Sequence, residues 1–173
     1  MRRSFLLAGL APLAAWVHPA RAEPALPPAL METGGQVLAV LIHAARANAI
    51  AAGVAPIPAA VQRALRGFFP DAILRKVRWA SGQDGRGITI PGYAMRYGDI
   101  DAMTFGDTIL FRDEQRARED ARLWAHELTH VLQFERLGVD GFAARYVRDF
   151  ATLEQEARDN ADRFAAWKGH TKH

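Results

Sequence analysis

The chain has 173 residues, half of them hydrophobic, with 22 Lys and Arg against 19 Asp and Glu and no cysteine. The absence of cysteine excludes disulfides, thiolate metal ligands and a thiol nucleophile. The formal charge of +3 sits at the start of the chain: Arg2, Arg3 and Arg21 fall in a leader with no acid, and the remainder balances at 19 against 19. That balance removes any general electrostatic case for nucleic acid or an anionic membrane surface as partner.

Arg2-Arg3, the apolar stretch Phe5 to Val17 and Ala20-Arg21-Ala22 have the layout of a secretory signal peptide (residues 1–22) cleaved after Ala22. The apolar run of about 13 residues falls short of the roughly 20 that span a bilayer, so no stable membrane anchor is expected after cleavage. Arg2-Arg3-Ser4-Phe5-Leu6 is similar to a twin-arginine signal, but its n-region is short and the Sec route is expected over it. The mature protein is therefore expected in the periplasm or secreted.

Residues 23–34 are expected to form a Pro/Ala-rich linker and 35–173 a single domain, a length that suits one core. Val37, Val40, Leu41, Ala44, Ala45 and Ala49 recur at helical spacing and predict a helix from Gly35 to Ala52, ended by Gly53. His43 falls within it as a polar boundary residue. Pro56-Ile57-Pro58 marks a turn, and Pro58 to Phe68 a short amphipathic helix. Alternation from Ile73 to Trp79 predicts a strand, followed by a Gly-rich hairpin connection at Ser81 to Gly87. Ile100 to Phe105 and Thr108 to Phe111 predict two strands joined tightly at Gly106-Asp107. Helices are expected over residues 113–137, stopping at Gly138, then 140–149 and 152–167.

The chemistry concentrates in the 113–137 helix, at His126-Glu127-Leu128-Thr129-His130. Residues four apart on a helix lie about 40° apart around its axis and one turn along it, so both imidazoles can reach one Zn²⁺. Glu127 is turned about 100° from His126, placing a carboxylate where it can act as base on a water at the metal. The apolar flanks Leu123-Trp124-Ala125 and Val131-Leu132 half-bury the pair, and buried imidazoles need partners. A catalytic zinc takes a third protein ligand, and the next long helix offers Glu154 and Glu156. They point about 200° apart, so only one can face the metal.

Leu153-Glu154-Gln155-Glu156-Ala157 resembles the E-x-x-A segment of the glutamate zincins. Ile100 to Gly106, Thr108 to Arg112 and above all Trp124 to Gln133 resemble a widespread bacterial family of zincin-like proteins, classed as a domain of unknown function and regarded as metallopeptidases. The resemblance covers roughly residues 70–167. It implies an α+β zincin-like fold: a small antiparallel or mixed sheet packed on the HExxH helix and a second long helix, with helices N-terminal to it. It also implies His126, His130 and Glu154 as metal ligands and Glu127 as base, with Glu156 as the alternative ligand. Many glutamate zincins carry an aspartate four residues after the ligand, where this chain has Arg158.

The function expected is an exported zinc metallopeptidase acting on a peptide or protein. A zinc-stabilised binding module without turnover, or a zinc amidase acting on cell-wall peptides, stand as alternatives. Tyr146 or Tyr97 is the expected oxyanion donor, with Arg145 and His170 behind them. The Thr108–Phe111 strand is the expected sheet edge for an extended substrate. With few residues after Gly138, the site is expected to be an open groove that works with a protein partner.

Overall fold

Helix α1 runs over Pro28–Ala52 and ends at Gly53, whose φ of 106° only glycine adopts readily. This is a computed structural model that describes residues 27–81 and 100–170, the side chains of 169 and 170 excepted. The leader, the Gly-rich connection and Tyr97 lie outside the described residues. Residues 28–34, expected as linker, are helical: Pro28 occupies the first turn, where a missing N–H costs nothing and its fixed φ suits the helix.

The buried face of α1 also differs from the one expected. Gly35, Ala39, Ile42, Ala45 and Ala49 point inward, while Val37 and Val40 remain 54% and 66% exposed. Periodicity favoured the larger aliphatics, but the packing partner selects small residues. A Cβ on Gly35 would stand 3.1 Å from the Ala144 Cα, so the two helices meet almost backbone to backbone. Gly35→Leu is expected to wedge them apart and lower unfolding free energy by about 1–3 kcal/mol, read from the urea midpoint at constant m-value. By length and composition α1 could cross a membrane. In this fold it packs instead on the C-terminal helical run, and Arg46 forms a two-pronged ion pair with Asp107, at 2.7 and 3.1 Å.

Strand β1 (Ala55–Pro56) leads to α2 (Ala59–Leu65) and α3 (Asp71–Lys76). Helix α3 replaces the first part of the strand expected at 73–79. Asp71 in its first turn and Arg75 and Lys76 in its last complement the helix dipole, and Ile73 and Leu74 are both buried, which strand alternation forbids. The strand itself, β2, is Arg78–Ser81.

Strands β3 (Ala102–Phe105) and β4 (Thr108–Phe111) form the expected antiparallel hairpin, turning at Gly106 with φ 65°. The sheet is mixed, in the order β1-β2-β4-β3, with β2 and β4 parallel. β4 is therefore an interior strand. The edge beside the HExxH helix is β3, a correction to the sequence expectation that follows from the parallel pairing of β2 with β4.

Helix α4 (Glu114–Glu119) is capped by Asp113, whose side chain accepts from the Arg116 N–H. Then α5 (Ala121–His170) runs as three helical segments, 121–137, 139–148 and 150–170. Gly138 breaks it with φ 69°, and Asp149 breaks it in an extended conformation, its Oδ1 accepting from the Thr152 N–H at 3.4 Å to cap the last segment and from the Thr152 hydroxyl at 2.8 Å. The class is α+β: a small mixed sheet, helices before it and a long helical run after it.

Two apolar clusters hold these parts. One joins α2, α3 and the sheet to the 121–137 segment through Trp79, Phe111, Trp124 and Leu128. The other joins α1 to the hairpin and α5 through Ile42, Phe105, Phe134, Phe142 and Leu153. The HExxH segment lies between them.

Candidate metal centre

His126 and His130 project from one face of the 121–137 segment, and Glu154 meets them from the 150–170 segment. The two Nε2 atoms stand 3.2 Å apart, and each lies 3.5 Å from an oxygen of Glu154. Donor atoms of all three residues fall within 4.8 Å of one another, a group that could hold a metal ion. His130 is buried, while His126 and Glu154 keep 21% and 23% of their side-chain surface exposed. Hydrogen bonding to His126 holds the Glu154 carboxyl below the usual carboxylate range, against the burial that pushes it up.

Gln133 fixes the orientation of one of these rings. Its amide NH₂ donates to the Leu153 carbonyl and to Glu156 Oε2, both at 3.0 Å. Both partners are acceptors, so the amide oxygen is the atom 2.9 Å from His130 Nδ1. Nδ1 therefore carries a proton, and Nε2 is the ring atom that faces His126 and Glu154. Glu156 in turn is clamped by Arg136 at 3.1 and 3.0 Å, which sets its carboxyl below the usual range. The structure thus separates the two glutamates: Glu154 faces the histidines, and Glu156 holds the group that orients one of them. Gln133→Leu is expected to weaken metal binding about 10- to 100-fold by freeing the His130 ring, measured by chelator competition.

Glu127 is buried, and one of its oxygens accepts from the Thr104 hydroxyl at 2.7 Å. Thr104 belongs to β3, so the sheet edge fixes the carboxylate. Asn160 donates to Thr129 Oγ1 at 2.7 Å, tying the last segment to the HExxH segment next to the site. Arg158, where an aspartate was the pattern, stands 4.0 Å from Glu154. Asp159 and Asp162 engage Gln155 and Arg122 on the surface.

His126, Glu127, His130 and Glu154, with Thr104 and Arg158, line a cavity of about 610 Å³. Leu38 and Ile42 of α1 wall one side. Tyr146 lines it as well. Burial, reinforced by the charges of Glu154 and Glu127, raises its phenol above the ordinary value and keeps it protonated. Arg145 is turned to Asp149, and His43 is exposed on α1.

Residues 56–138 match the eCIS core domain. That family derives from a domain of unknown function, which is the part of the expected resemblance the match carries. The eCIS core match takes in β2, β3, β4 and the whole HExxH segment and stops at Gly138, before the segment that supplies Glu154. No curated protein and no solved structure matches the chain.

Sequence reasoning had no role for Thr104 or Gln133. A buried glutamine three residues after a ligand histidine, on the same helix face, is a signal that could have found the second. Thr104 carries no such local mark, because its contact with Glu127 depends on the sheet docking.

Proposed function

We propose that this chain is an exported zinc-dependent metallopeptidase of zincin-like build. The observation that carries the proposal is the convergence of His126, His130 and Glu154 beside a buried, hydrogen-bonded Glu127 in one cavity. Two imidazoles and one carboxylate are a donor set that suits zinc and leaves a position open. Zinc held there supplies a Lewis acid and makes water nucleophilic near neutral pH.

The chain's own groups account for the remaining steps. Glu127, fixed through one oxygen by Thr104, takes a proton from the attacking water and delivers it to the departing amine. The protonated Tyr146 phenol donates to the oxygen that gains charge at the scissile carbonyl. Strand β3 supplies alignment. The Arg112 N–H donates to the Asp101 carbonyl, so by antiparallel alternation the backbone groups of Ala102 and Thr104 face away from β4, toward an extended peptide. Export rests on the signal-like residues 1–22.

The test is zinc content of the purified mature chain together with hydrolysis of an unfolded protein. One zinc per chain with hydrolysis is expected, and Glu154→Ala should lose both the metal and the cleavage while keeping its helical circular dichroism. Stoichiometric zinc without hydrolysis would assign the site to a structural or binding role. A metal-free wild type would end the proposal.

A further inference from the structure

One wall of the cavity, made by Phe142, Tyr146 and Phe150 and continued inward by Phe134, has an order that metal binding does not require. Phe134 and Phe142 stack with ring centroids 3.8 Å apart, Phe142 and Tyr146 stack at 5.6 Å, and Phe150 follows at 6.1 Å. The four rings form a ladder that starts in the second apolar cluster, passes His130 at 6.3 Å from Phe142, and ends in solvent. Phe150 is 58% exposed. It is the first residue after the Asp149 break, and it lines the cavity.

Leu38 and Ile42 of α1 and Met103 of β3 also line this end of the cavity. The other lining groups are polar and mostly paired: Arg116 with Asp101 and Asp120, Arg122 with Asp162, and Arg158 at 4.0 Å from Glu154. An apolar group entering the cavity thus finds burial at the ladder, whereas a charged group meets arginines that already have carboxylate partners.

We propose that the Phe142–Tyr146–Phe150 ladder, with Leu38, Ile42 and Met103, is an apolar side-chain subsite. The substrate is then an unfolded polypeptide that presents a bulky aliphatic or aromatic residue next to the scissile peptide bond. The cavity is continuous with His126, Glu127, His130 and Glu154, so a side chain seated on the ladder brings its own backbone to the metal centre. This inference rests on the peptidase reading. In the reaction, water adds to the carbonyl carbon and the carbon–nitrogen bond breaks, giving a carboxylate and an amine.

The experiment uses the mature, zinc-loaded chain and a reduced, denatured protein, with cleavage sites mapped by mass spectrometry. Bulky apolar residues are expected on one fixed side of the cut. Two peptides differing only in Phe or Ala at that position are then compared for wild type, Phe150→Asp and Val40→Asp. Phe150→Asp is expected to lower kcat/KM on the Phe peptide about tenfold or more and on the Ala peptide much less, a differential that general damage to the fold would not give. Val40→Asp, on the outer face of α1, should match wild type on both. Cleavage without preference for bulky apolar residues, or an equal loss on both peptides, would overturn the subsite and leave the peptidase standing. No cleavage of any substrate by zinc-loaded wild type would remove the peptidase reading and the subsite with it.

Discussion

Glu127→Gln is expected to keep zinc at one per chain and to lower hydrolysis by about 100- to 10,000-fold, the range that a positioned general base supplies. The substitution is nearly isosteric and leaves His126, His130 and Glu154 untouched. The amide oxygen can still accept from the Thr104 hydroxyl, so the buried position stays satisfied. What is lost is the capacity to take a proton. Single-turnover kinetics alongside metal analysis would separate this outcome from a site that has merely come apart. A variant that cleaves as fast as wild type would remove Glu127 from the chemistry.

Trp124→Ala is expected to be the most damaging single change to the fold, at about 3–5 kcal/mol. Trp124 is fully buried, its ring lies 4.7 Å from Phe111 and 6.3 Å from Trp79, and its indole N–H donates to the Ala117 carbonyl at 2.6 Å. Truncation opens a cavity where α4, the sheet and the HExxH segment meet, and it leaves a buried carbonyl without its donor. The effect reads as a lowered urea midpoint. Because Trp124 sits just before His126, the variant should also bind metal more weakly when only part of the population is folded, and ligand addition should recover part of the loss.

What could be read from the sequence is what local chemistry determines. The HExxH spacing puts two imidazoles on one helix face whatever the rest of the chain does, and Gly106 and Gly138 mark turns because their backbone angles favour glycine. The β3–β4 hairpin follows from its two-residue turn. The elements misread are those settled by neighbours. Residues 73–76 read as the start of a strand running to Trp79, yet they belong to a helix because both Ile73 and Leu74 find the same core. Helix α1 buries glycine and alanine in place of valine because Ala144 approaches so closely. The edge strand is β3 because β2 pairs in parallel with β4, a long-range choice without a local signature. Choosing Glu154 over Glu156 needed Gln133 and Arg136, two side chains whose meeting with Glu156 spans more than a turn of any helix.

The eCIS core match ends at the Gly138 break, while the third donor stands beyond the second break, at Asp149. Two histidines and Glu127 thus ride on one helical segment, and the third candidate donor arrives on another. Gln133 bonds the Leu153 carbonyl and Asn160 bonds Thr129, so the same contacts that dock the last helix also set the ligand distance. On the proposed reading, affinity for metal and attachment of the C-terminal helix would be one equilibrium seen from two ends. Any ion that bridges the three donors acts as a buckle, and anything that lifts the last helix unfastens it.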